Sequence, residues 1–163
     1  MSIFDITSDT NAILAFDIFK MLGLESLQQE KKDEYLRRFT KLILEYYLEE
    51  KVGDNLTRAQ IETLMQKYPP TSELNVEAFL QEMSEMLPNA SDLFTEALIE
   101  MKAKIVHTHY ETKREIYTEM LIDEIDPSKK TLLKKMIAEV ERVLKFIANN
   151  DWEMVEWHGS EDF

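Results

Sequence analysis

Apolar residues recur at three- and four-residue intervals through most of the chain, and no stretch shows the sustained alternation of period two expected of a half-buried strand. The first such segment spans about Asp9 to Leu22. Ile13, Leu14, Ile18 and Leu22 hold helical spacing, Ser8 or Asp9 is placed to cap, and Gly23 is a left-handed stop. Ser26 and Gln29 have the spacing of a capping box that opens a second helix reaching about Lys51. Its apolar face is broad, with Leu36, Phe39, Ile43, Tyr46 and Tyr47, and Gly53 follows it.

Thr57 and Gln60 repeat the capping-box spacing ahead of Ile61, Leu64, Met65 and Tyr68, and Pro69-Pro70 stops that short helix. Another helix is predicted from about Val76 to Leu87, followed by Pro88-Asn89 and by Ser91 as a cap. The longest pattern runs from about Asp92 to Ile125. Its first half is amphipathic, but His107 to Arg114 is nearly polar all round, which predicts a solvent-bridging or kinked helix. Asp126-Pro127-Ser128 is a turn and a new start, and the last helix carries a wide apolar stripe to Ala148. The two final segments are predicted to pair as an antiparallel hairpin, with Tyr117, Met120, Leu121 and Ile125 against the stripe of the last helix.

The fold class that follows is all-α: a bundle of five to seven helices with a C-terminal helical hairpin. Residues 1–106 are expected to form an N-terminal bundle and residues 107–148 a hairpin packed on it or projecting from it. Residues 149–163 are expected to form an acidic, tryptophan-containing tail.

Composition narrows the chemistry. The chain has 163 residues, no cysteine and only three glycines, Gly23, Gly53 and Gly159, which stand far apart. Disulfides, thiol nucleophiles and cysteine-ligated metals are therefore excluded, as are glycine-rich phosphate loops. The absence of cysteine agrees with a cytoplasmic location. The opening residues Met1-Ser2-Ile3-Phe4-Asp5 do not read as a secretory signal, and no apolar run is long enough to span a bilayer, so no membrane partner is expected. The formal charge of −13 speaks against direct binding of nucleic acid, which requires a basic stripe. Charge is also uneven. Lys129 to Lys145 holds six basic and two acidic residues, whereas Asp151 to Phe163 holds five acids and no lysine or arginine.

No constellation of reactive groups converges. Lys104, Val106 and Val155 stand three places before His107, His109 and His158, so the Glu-x-x-His spacing of di-iron bundles is missing. His107 and Glu111 share a helical face, but two ligands do not make a metal site. Leu74 to Phe79 has the outline of the exit half of a calcium loop. Aligned on Leu74, however, the ligand positions fall on Lys67, Pro69, Thr71 and Ala78, which cannot supply the carboxylates. No catalytic, cofactor or metal residue is assigned.

The residues singled out for partner binding are Trp152, Val155 and Trp157 in the tail, Lys130 and Lys134 on the basic helix, and His107 and Tyr110 on the polar segment. Docking of the tail on its own basic last helix is the first expectation, and the alternative is that these aromatic anchors among acids enter a partner's apolar groove with a basic rim. The expected function is a non-enzymatic interaction or assembly module whose partner is another protein or a second copy. An acidic mimic of nucleic acid and a carboxylate-rich metal-binding helical protein are the alternatives.

The run Leu22-Gly23-Leu24-Glu25-Ser26-Leu27, the charged helix with Leu42 to Leu48, Leu56-Thr57, and Phe79-Leu80 through Leu87-Pro88-Asn89 to Leu93 together carry a likeness. Over Met21 to about Ile105 the chain resembles a small all-α family of unknown function associated with small-genome, candidate-phylum bacteria. The resemblance implies a helical domain and supplies no catalytic residues. The double proline and the long C-terminal extension depart from the family's pattern.

Overall fold

The computed structural model describes residues 12–71 and 74–160, which form seven α-helices and no strand. In order these are α1 (Ile18–Met21), α2 (Gln29–Tyr46), α3 (Arg58–Lys67), α4 (Val76–Met86), α5 (Ala90–Asp123), α6 (Pro127–Ala148) and α7 (Trp152–Ser160). The chain divides into two compact units. Among the described residues, one comprises Leu27–Lys102 with those up to Leu14, and the other comprises Ala15–Ser26 with those from Ala103 onward. The described part of the tail and a segment near the start of the chain fall in the same unit as the hairpin.

The first unit is built around aromatic rings. Tyr47, Phe79 and Phe94 meet edge to face, with centroids 5.2 to 6.1 Å apart, and Tyr68 joins them through Phe79. The buried Tyr47 hydroxyl donates to the carbonyl of Ala90 at 2.9 Å, so the ring is buried without stranding its polar tip. α2 does not run on regularly to Lys51. It passes into a π turn, Tyr47–Lys51, in which the amide of Val52 donates to the Tyr47 carbonyl five residues back. Tyr47, Leu48 and Val52 are all buried there. Gly53 then opens a 3-10 turn, Gly53–Asn55.

Thr57 and Gln60 form the expected capping box of α3, with bonds of 3.1 and 2.8 Å. The Ser26–Gln29 box does not form. α2 starts at Gln29 behind Gln28, and the Gln29 side-chain amide donates instead to the Asp33 carboxylate. Ser91 is likewise inside the first turn of α5 and does not cap it. The segment with a calcium-loop outline is a packed turn. Leu74 is buried, Asn75 caps α4 by accepting from Ala78, and Lys67 pairs with Glu82 at 2.9 Å. A second polar staple joins Lys51 to Glu100 at 2.9 Å and to Glu96 at 3.4 Å, with the Tyr46 hydroxyl donating to Glu100.

The single helix expected over Asp9 to Leu22 is broken among the described residues. A 3-10 turn, Ala12–Ala15, precedes α1, and the Asp17 side chain caps α1 through the amides of Phe19 and Lys20. The caps Ser8 and Asp9 lie outside the described residues. α1 ends as expected at Gly23, whose φ is +69°. Its amide donates to Lys20 and that of Leu24 to Phe19, the paired bonds of a left-handed helix stop.

α7 packs on both α1 and α6. Trp152, Val155 and Gly159 lie on one face and are buried, and burial of the first two side chains contributes roughly 1.5 to 3 kcal/mol each. Gly159 allows the approach: a β-carbon there would collide with the carbonyl oxygens of Lys20 and Met21. The amide of Asp17 also donates to the Glu156 carboxylate of α7 at 2.7 Å.

α5 is one helix of 34 residues, without the break that its polar middle allowed. α6 starts as predicted. Asp126 accepts from the amide of Ser128 at 2.9 Å, and Pro127 occupies the first turn, where no amide donor is needed.

Candidate functional site

α5 from Ala103 and α6 form the C-terminal helical hairpin, and a groove of about 350 Å³ lies between them. One wall is Tyr110, Lys113 and Tyr117, spaced three and four apart on α5. The other is Leu132, Lys135, Met136, Glu139, Val140 and Val143 on α6. Its volume lies in the range of ligand and anchor pockets, and its lining is apolar apart from a few polar groups.

The inner end of the groove is held by α1. Tyr110 is buried, and its hydroxyl donates to the Met21 carbonyl, one of the carbonyls left open at the end of α1. Burial pushes that phenol up to about 12. One residue earlier, His109 has a buried Nε2 with no hydrogen-bond partner. Desolvation pushes its imidazole down to about 4, and the charge of Lys113 acts in the same direction. A hydrogen bond with the backbone of Leu22 opposes both.

Lys113 lies half-buried with its ammonium 5.6 Å from the centre of the Tyr110 ring, and desolvation holds it below its ordinary value. Glu139 is already engaged by Arg142 at 3.8 Å. Neither Lys113 nor Lys135 has an ion-pairing carboxylate among the described residues. The arrangement offers apolar surface with two lysines and one glutamate at its edges.

The structure disperses the residues expected to bind a partner. Trp152 is 7% exposed and Val155 fully buried against their own unit, the self-docking arrangement of the tail. The reason is that α7 uses the face carrying them to cover α1 and α6. Trp157 remains 50% exposed beside His158. Tyr110 is also removed from the surface, though it lines the groove. Lys130 and Lys134 are exposed, and His107 pairs with Glu111 at 3.4 Å on an open helix face.

Sequence reasoning missed His109, Lys113 and Lys135. The available signal was the run Val106, His109, Tyr110, Lys113 and Tyr117, which keeps to one helical stripe through a segment that otherwise reads as polar all round. The expected closure of the hairpin tip is corrected as well. Met120, Ile125 and Leu132 are 51%, 88% and 57% exposed, because the groove separates part of the apolar surface expected to meet.

A wider depression of about 730 Å³ lies between the end of α2 and α3, but Glu45, Glu49, Arg58 and Glu62 line it, and Arg58 and Glu62 pair with each other. Among the described residues no three histidine or carboxylate side chains come together as a metal ion requires. No described helix is long and apolar enough to cross a membrane.

No protein-family profile, curated protein or solved structure matches this chain.

Proposed function

We propose that this protein is a non-enzymatic protein–protein interaction module whose docking arm is the helical hairpin. The supporting observation is the distribution of exposed large apolar side chains. Of the eight among the described residues, Ile116, Met120, Ile122, Ile125 and Leu132 fall between residues 116 and 132, around the turn joining α5 to α6. Exposed apolar surface concentrated in this way is a feature of sites that meet another molecule. A cytoplasmic setting is part of the same proposal and agrees with the lack of cysteine. The kinship to the bacterial all-α family also belongs to it, resting on the leucine spacings of Leu22 to Leu93.

The test is crosslinking in the native cell with the wild-type chain and with a triple variant, Ile116→Lys, Met120→Lys and Ile125→Lys. The expected result is a discrete crosslinked species with the wild type that is lost in the variant, while the helical circular dichroism and melting temperature stay unchanged. An identical crosslinking pattern in both would overturn the proposal.

A further inference from the structure

The groove inside the hairpin has a chemistry that narrows the partner, an inference that rests on the hairpin being a docking arm. We infer that the groove receives an acidic amphipathic helix of another protein, whose apolar side chains enter between α5 and α6 while its carboxylates meet Lys113 and Lys135.

Three observations carry the choice of occupant. The first is shape. The groove is walled by two helices, and no strand edge exists among the described residues to accept an extended peptide. An open angle between two helices is filled by a third, presenting residues at i, i+3, i+4 and i+7.

The second is charge. Among the described residues Lys113 and Lys135 line the groove without an ion-pairing carboxylate, and Glu139, the acid on the wall, lies 3.8 Å from Arg142. The rest of α6 reinforces this, with Lys129, Lys130, Lys134 and Lys145 against Glu141. Such a rim favours carboxylates and repels a basic helix. A carboxylate brought beside Lys113 offsets, by charge attraction, the desolvation that depresses its ammonium.

The third is the mismatch with a second copy. A symmetric dimer with its two-fold axis at the groove would set the lysines of one copy near those of the other. The apolar path also continues outward from the groove: Met120 follows Tyr117 along α5, and Leu132 at the outer end is more than half exposed.

The experiment uses the full chain and fluorescein-labelled synthetic peptides of about 20 residues, roughly 30 Å of helix. One peptide carries a leucine and phenylalanine stripe flanked by glutamates, a second has lysines in place of the glutamates, and a third is a scramble of the first. Fluorescence anisotropy is read at low and physiological salt. The acidic amphipathic peptide is expected to bind about tenfold tighter than either control and to weaken as salt rises. The exposed positions Lys135→Glu and Leu132→Glu are each expected to weaken it about fivefold or more without moving the melting temperature.

Equal affinity for the acidic and basic peptides, equal affinity for the scramble, or indifference to both substitutions would overturn the inference. So would self-association in the absence of peptide that Leu132→Glu abolishes, since that would give the groove to a second copy. If no peptide binds but crosslinking in cells still depends on Ile116, Met120 and Ile125, the groove inference falls and the hairpin reading stands.

Discussion

Gly159 of α7 lies so close to the end of α1 that a β-carbon built on it would stand 2.9 Å from the Met21 carbonyl oxygen and closer still to that of Lys20. Both neighbours are backbone atoms and cannot swing aside. Gly159→Ala is therefore expected to lower stability by about 3 kcal/mol or more, read as a fall in the urea midpoint. Gly53→Ala is the control. Its nearest neighbour, the Leu48 carbonyl oxygen, would be 3.2 Å away, so only a small adjustment is required. Equal effects at the two glycines would contradict the packing of α7 on α1.

Trp152 and Trp157 separate the two fates available to the C-terminal segment. Trp152 is buried in its own unit, so Trp152→Ala is expected to cost about 3 to 5 kcal/mol. Trp157 is half exposed, and Trp157→Ala is expected to cost less than about 1.5 kcal/mol. Chemical denaturation of the two variants checks the pair. Similar small losses would mean that α7 is not docked.

His109 makes stability depend on pH in one direction. Its imidazole titrates near 4 in the folded chain against 6.5 ordinarily, so between these values the unfolded chain binds more protons. The contribution is fully present above pH 6.5 and is lost as pH falls toward 4, by roughly 2 to 3 kcal/mol in all. His109→Gln removes the titration. Urea midpoints measured for both proteins between pH 4 and pH 7 are expected to diverge progressively on acidification, with the wild type losing more. Parallel profiles would show that the imidazole is not held neutral.

The two capping-box spacings in the sequence make a matched test. Thr57→Ala is expected to cost about 1 kcal/mol, because the Thr57 hydroxyl accepts from Gln60 at the start of α3. Ser26→Ala is expected to change stability by less than about 0.5 kcal/mol, since Ser26 lies outside α2 and Gln29 turns to Asp33. Thermal unfolding of the two variants distinguishes them, and equal losses would restore the second box.

Local grammar was legible where one turn of chain contains the whole interaction. The Thr57–Gln60 box, the left-handed stop at Gly23, the Pro69-Pro70 break and the Asp126-Pro127 start all involve partners within a few residues. Interactions closed over long separations were not. Tyr110 finds its acceptor at Met21, and Gly159 finds its tight fit at Lys20, across more than eighty residues of sequence. The apolar content of α7 was visible, but which surface it covers depends on α1 and α6. The groove was hidden for the opposite reason. Tyr117, Leu132 and Met136 carry the periodicity of a closed hairpin, and periodicity alone does not report whether facing stripes touch or stand apart.

The second unit draws on both ends of the described chain, which sets an order on its assembly during translation. Ile18, Phe19, Met21 and Leu22 leave the ribosome early, yet the helix that covers α1 is complete only once Ser160 has been added. At about 5 to 20 residues per second this wait is on the order of ten seconds. Throughout it a cluster of four greasy side chains has no permanent cover, so the nascent polypeptide, more than the finished protein, is the form that chaperones must shelter from aggregation.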